Sequence, residues 1–176
     1  MRFLILWLLF NFSSIMKTIF DFSENNEITQ WKVVNDGVMG GLSKGNFHLN
    51  EAKNGVFEGE ISLKNNGGFS SVQYGFDLIK IKEYAIFKLH LKGDGKTYQF
   101  RAKRNNLDKH SYIATFATTG DWQIVTIKMK DMIPQYRGEQ LPMTNYTGDL
   151  LEQVTFLIGN KKEEFFKLEI DKIAIE

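Results

Sequence analysis

Few residues in this 176-residue chain stand at spacings that support covalent chemistry. Gly41-Leu42-Ser43-Lys44-Gly45 fits G-x-S-x-G, the pattern in which a serine nucleophile sits on a tight turn between a strand and a helix. Here a glycine-rich loop precedes Ser43 and a strand-like run, 46–50, follows it, so the pattern reads as a turn and not as a nucleophile elbow. His48, His90 and His110 lack the i, i+2 or i, i+4 pairing of a metal site and read as surface side chains. The chain has no cysteine, which removes disulfides, thiolate nucleophiles and thiolate metal ligands. Gly93-Asp94-Gly95-Lys96 lacks the frame of a phosphate loop and reads as a hairpin-type turn, with Asp-Gly at its left-handed positions. No pair of carboxylates stands out for acid–base work. The expectation is a protein that is not an enzyme, with no catalytic residue, no metal and no cofactor.

Binding chemistry has more to work with. Arg101, Lys103, Arg104 and Lys109 form one basic cluster beside Tyr98 and Tyr112. It reads as a solvated strand face, because 22 Lys+Arg against 21 Asp+Glu leave a net charge of only +1 and no global field to hold nucleic acid. Trp122 opens a strand after Gly120-Asp121; it is read as a plug between sheets, with a surface platform for a sugar or peptide as the alternative. The densest anomaly is 31–43, WKVVNDGVMGGLS, where Val38 and Met39 lie between glycines. Either the tip tucks Met39 into the end of the fold, or it is a binding loop carried on a rigid scaffold.

The elements that must position these residues are strands. Turn signals recur at short intervals, among them Asn35-Asp36-Gly37, Asn54-Gly55, Asn65-Asn66-Gly67-Gly68, Gly93-Asp94-Gly95 and Gly159-Asn160. Between them apolar and polar residues alternate. Phe57, Gly59, Ile61 and Leu63 share one side of 56–63; Ala85, Phe87, Leu89 and Leu91 one side of 85–91; Tyr98, Phe100 and Ala102 one side of 98–103; Phe166, Leu168 and Ile170 one side of 164–170. Further strands are expected at 17–22, 31–34, 45–50, 69–76, 110–116, 122–129, 153–158 and 172–175. Only a turn or two near 148–152 reads as helical, so a parallel α/β fold is not expected. Aromatic residues make up 14% of the chain, which agrees with β structure. The fold expected is all-β, two antiparallel sheets packed face to face.

Residues 16–176 are expected to form a single β-sandwich domain. Residues 1–15, MRFLILWLLFNFSSI, carry an apolar run too short to span a bilayer and a poor cleavage site. Met16 is read as the working start, with a signal-like or retained leader as the alternatives. A cytoplasmic location is expected, or an exported or membrane-associated one if 1–15 act as a signal; no transmembrane span is expected.

Trp31, the run 35–43 with DGVMGG, the run 65–71 with NNGGFSS, Gly93-Asp94-Gly95-Lys96, Tyr98, Trp122, Arg137-Gly138 and a closing Phe166-x-Leu168-x-Ile170 together resemble the NADH:ubiquinone oxidoreductase (complex I) intermediate-associated protein 30 family. The resemblance runs over about 18–175 and looks like a stand-alone, bacterial-type member. It implies a galactose-binding-like jelly-roll β-sandwich. It also implies a non-catalytic module that assists assembly of a respiratory NADH dehydrogenase through contacts with subunits or assembly intermediates. The alternative is a carbohydrate-binding module of the galactose-binding-like class, with a glycan as ligand. Nucleic acid is not an expected partner. The candidate binding residues are Asp36, Met39, Ser43, Asn65, Asn66, Phe69, Asp94, Arg101 and Trp122. Asp36 and the amides would give directional hydrogen bonds, Met39 an adaptable apolar contact, and Arg101 a pair with an acidic group. The loop glycines are read equally as turn formers alone.

Overall fold

A computed structural model describes residues 15–25 and 27–176. The expected leader therefore lies, save for Ile15, outside the described residues. Alternation at period two builds thirteen strands: β1 (Lys17–Asp21), β2 (Trp31–Asn35), β3 (Lys44–Leu49), β4 (Gly55–Ile61), β5 (Ser70–Lys80), β6 (Ile86–Lys92), β7 (Thr97–Lys103), β8 (Ser111–Ala117), β9 (Trp122–Lys128), β10 (Ile133–Tyr136), β11 (Glu139–Gln140), β12 (Leu150–Ile158) and β13 (Glu164–Ile175). Short 3-10 turns fill Asp36–Met39, Lys64–Asn66 and Met129–Asp131.

All strand pairs are antiparallel. One sheet runs β3-β4-β13-β6-β9, with β1 also on β13; the other runs β11-β10-β8-β7-β12-β5-β2. Their inner faces share one core, to which β6 sends Phe87, Leu89 and Leu91, β7 sends Tyr98, Phe100 and Ala102, and β13 sends Phe166, Leu168 and Ile170. These are the sides that alternation assigns to the interior. The exceptions are Leu63, past the end of β4, and Ala85, before the start of β6; both are exposed.

Several expectations are corrected. The residues near 148–152 are not helical: β12 begins at Leu150 and pairs with β5 from Lys80 onward. The runs 164–170 and 172–175 are one strand, interrupted by a bulge between Ile170 and Lys172 on its β6 side. The turn at 93–96 is not a hairpin, because β6 and β7 belong to different sheets and the turn carries the chain across the core. Trp122 is not a plug; it is 41% exposed on the outer side of edge strand β9. Among the described residues the buried tryptophan is Trp31, stacked between Phe47 of β3 (5.1 Å) and Tyr74 of β5 (5.0 Å), with Phe20 and Phe22 against its ring.

The registers place five connections, 36–43, 62–69, 93–96, 118–121 and 159–163, at the same end of the sandwich. That end is the rim on which most of the candidate residues lie.

Phe156 is fully buried on β12 between Phe100 (5.4 Å) and Phe116 (6.5 Å). Phe156→Ala is expected to lower unfolding free energy by about 3–5 kcal/mol, read by urea denaturation.

Candidate functional site

The rim is stitched from within. Asp36 follows β2, is wholly buried, and turns its carboxylate toward two neighbouring loops. Oδ1 accepts the Ser43 N–H (3.0 Å), and Oδ2 accepts the Ser43 hydroxyl (2.5 Å) and the N–H groups of Gly68 (2.6 Å) and Phe69 (3.3 Å). Burial pushes its pKa up, but the bonds from Ser43, Gly68 and Phe69 outweigh that and hold it below the usual carboxylate value. Gly41 and Gly67 are needed for this approach: a Cβ on Gly41 would lie 2.3 Å from Asp36 Cγ, and one on Gly67 2.6 Å from Oδ2. Next door, Asn35 Oδ1 accepts from Gly45 N–H (3.0 Å) and the Ser70 hydroxyl (2.6 Å).

Asp36 and Ser43 are thus engaged inside the chain. Ser43 also accepts the Ser62 N–H (3.1 Å), so G-x-S-x-G here is a structural turn with its hydroxyl held by a carboxylate. Asn65 is exposed and donates to the Gly40 carbonyl (3.1 Å); Asn66 is exposed beside it, and both adopt positive φ, 57° and 58°. Phe69 is half-buried. The Met39 side chain lies outside what the structure describes. Asp94 accepts from Tyr98 Oη (3.0 Å), Lys96 Nζ (2.7 Å) and Lys167 N–H (2.9 Å), which binds the 93–96 crossover to β13. Trp122 packs on His90, ring centroids 5.1 Å apart, and His90 Nδ1 lies 2.6 Å from Asp171. His48 lies near Asn46, whereas His110 is half-buried against Tyr112 and its Nε2 has no partner.

Arg101 is elsewhere, on the outer face of the seven-stranded sheet. Register aligns the outward side chains there in transverse rows: Val34–Ser71–Leu157–Gln99–Thr115, and Lys32–Gln73–Thr155–Arg101–Ile113, with Gly75–Gln153–Lys103 beyond. Ser71 (2% exposed), Thr155 (5%), Ile113 (5%) and Leu157 (7%) turn away from the core yet are hidden from solvent, so this face is a trough. It deepens into an open groove of about 840 Å³ over β2, β5 and β12, lined by Lys32, Gln73, Gly75 and Gln153 and bordered by Asn106 and Asp77.

Arg101 stands at the flank of that groove, where burial pushes its pKa down to about 10, still charged at neutral pH. Its Nε (3.1 Å) and Nη2 (2.6 Å) both donate to Gln99 Oε1. Burial also lowers the Lys103 pKa; Asp108 opposes that and the Arg101 charge adds to it. The basic cluster is therefore divided: Arg101 and Lys103 share the trough, Arg104 pairs with Asp149 (2.6 Å), and Lys109 is exposed on a loop. Sequence reasoning missed Gln73, Gln99, Gln153 and Thr155. The usable signal was neutral amides at outward strand positions, where a solvated face more often carries charge.

The profile of the family described as complex I intermediate-associated protein 30 (CIA30) matches residues 20–170. No curated protein matches the chain. Solved structures similar to it include a family 11 carbohydrate-binding module from Clostridium thermocellum in complex with a β-1,3-1,4-mixed-linked tetrasaccharide. It is 14% identical, with 91% of this chain and 94% of that chain covered and a TM-score of 0.65. The family 11 module of the cellulosomal cellulase Lic26A-Cel5E of the same organism is 13% identical, with 93% and 95% covered and a TM-score of 0.68. An exo-β-agarase is similar over 91% of this chain and 25% of its own, at 8% identity and a TM-score of 0.56. These likenesses show the fold, a jelly-roll β-sandwich.

Asp36→Asn replaces an acceptor of four hydrogen bonds by a group that presents N–H to N–H, and is expected to destabilise by about 1–3 kcal/mol in urea titration. Because the folded pKa of Asp36 is lowered, its contribution is complete above the unfolded carboxylate pKa, about 3.9. It is lost as pH falls through the lower folded value. The stability gap between wild type and Asp36→Asn should therefore be constant from about pH 5 to 7 and shrink below about pH 4, measured by thermal melts across pH.

Proposed function

Since the chain belongs to the complex I intermediate-associated protein 30 family, we propose that it is a non-catalytic binding module. In this reading it assists assembly of a respiratory NADH dehydrogenase, or a similar membrane oxidoreductase, through protein contacts. The trough carries the reading. A sheet face that turns amides, cations and apolar side chains outward while sheltering them from water has the form of a recognition surface. Absence of catalysis is supported by the state of Ser43, whose hydroxyl is tied to a carboxylate already filled by backbone donors. The rim adds exposed Asn65 and Asn66, with half-buried Phe69 and Asp94, as secondary contacts. Deleting the gene and measuring assembled NADH dehydrogenase on native gels, with membrane NADH oxidation alongside, is expected to show a several-fold loss that the wild-type gene restores. Normal levels of assembled complex overturn the reading.

Glycan binding is the second reading. It is favoured by the exposed Trp122 ring backed by His90, and by the fold shared with a module seen holding a mixed-linked tetrasaccharide. If it holds, titrating that tetrasaccharide to millimolar concentration shifts the Trp122 indole N–H signal or the Gln73 and Gln153 side-chain amides in NMR spectra; an unchanged spectrum removes it.

A further inference from the structure

We propose that the trough receives a carboxylate from an extended acidic peptide of the partner, with Arg101 as the anion-binding residue. This rests on the reading of the protein as a module for protein partners. Gln99 takes the Nε and Nη2 protons of Arg101 on one oxygen and so fixes the guanidinium plane. Among the described residues no Asp or Glu lies within ion-pair distance of that guanidinium, whereas Arg104, the residue just past the end of β7, has Asp149 at 2.6 Å. A half-buried cation without a counter-ion is unfavourable unless something supplies the charge. A planar guanidinium with unused N–H groups matches a carboxylate in two-point geometry.

Charge around the site agrees. Lys103 stands two residues along the same strand, its ammonium donating to the Asp108 carbonyl (2.7 Å), and Lys32 lies in the same transverse row as Arg101. The acids nearby are Asp108 beside Lys103, Asp77 at the groove's edge, and Glu152, which accepts the N–H of the groove's Asn106 (2.7 Å). A peptide is favoured over an acidic sugar by the floor itself. The rows around Arg101 alternate apolar Val34, Leu157 and Ile113 with Gln73, Gln99 and Gln153, whereas the aromatic ring that lines the groove, Phe76, stands on β5, with β12 between it and Arg101. Each amide can both donate to and accept from a peptide main chain.

The test uses ¹⁵N NMR of the full chain with three probes: acetyl-Ala-Glu-Ala-Glu-Ala-amide, its Gln counterpart, and sodium glucuronate. The Glu peptide is expected to shift the Arg101 Nε–H and Gln99 side-chain amide signals and to bind about tenfold more tightly than the Gln peptide. Arg101→Gln should abolish that preference with the remaining spectrum unchanged, and Arg101→Lys should restore it only in part, since charge returns without the fork. Should Arg101→Gln fail to fold, the wild-type comparison of the two peptides and the Lys variant decide the matter. Equal binding of both peptides, or shifts confined to other residues, overturns the proposal, as does a response to glucuronate without one to the Glu peptide. Loss of the carboxylate preference would leave the assembly role standing. Normal dehydrogenase levels after gene deletion would instead leave the carboxylate site standing and remove the assembly role.

Discussion

A charged carboxylate with no solvent contact is an unfavourable thing to build, and Asp36 is tolerable only because four donors converge on it. Two of the loops it joins are crossovers: 36–43 leads from β2 in one sheet to β3 in the other, and 62–69 returns from β4 to β5. Asn35 adds a second tie beside it, between Gly45 and Ser70. Sheet faces pack by non-directional apolar contact, which leaves the sliding of one sheet over the other weakly specified. Directional bonds at the rim set that relation. The glycines follow from the same constraint, because at 41 and 67 any side chain would occupy the space of the carboxylate. A block that looks like a binding motif in sequence is thus in large part the hinge-pin of the sandwich.

Alternation made most of the architecture legible. On β6, β7 and β13 the side facing the core was evident from Phe87, Phe100 and Phe166 with their neighbours two residues away, because burial of one sheet face forces that pattern. What escaped reading depended on partners distant in sequence. Trp31 and Trp122 both lie on edge strands, β2 and β9; which of them fills the interior depends on the face each strand turns to the other sheet, and β9 carries apolar residues on both faces, Ile124 outward and Ile127 inward. β10 and β11 are too short for a period to show, and 148–152 sits where a polar stretch enters a buried strand. The trough was hidden for a related reason: its floor is assembled from β2, β5, β12, β7 and β8, which contribute two or three outward residues each.

Rim and trough divide the labour that the sequence seemed to give to one site. The rim residues with the densest hydrogen bonding, Asp36, Ser43 and Asp94, hold loops to strands. The trough residues, by contrast, are fixed by strand register and keep their polar ends toward the outside. Sites placed on strands are held more rigidly than sites on loops. The similarity to carbohydrate-binding modules at 13–14% identity shows how far this scaffold is shared among proteins of different use.

The twelve-residue β13 pairs with β4 and β6 along much of its length and, at its far end, with β1. Lys17 meets Ile175, and Asp21 meets Lys172. Residues 17–21 therefore have no partner until 172–175, far along the chain, have been made, and the six-stranded sheet cannot close before β13 is in place. Until then β4 and β6 each keep an open edge in place of their β13 partner, the kind of unpaired strand edge that invites pairing with another chain.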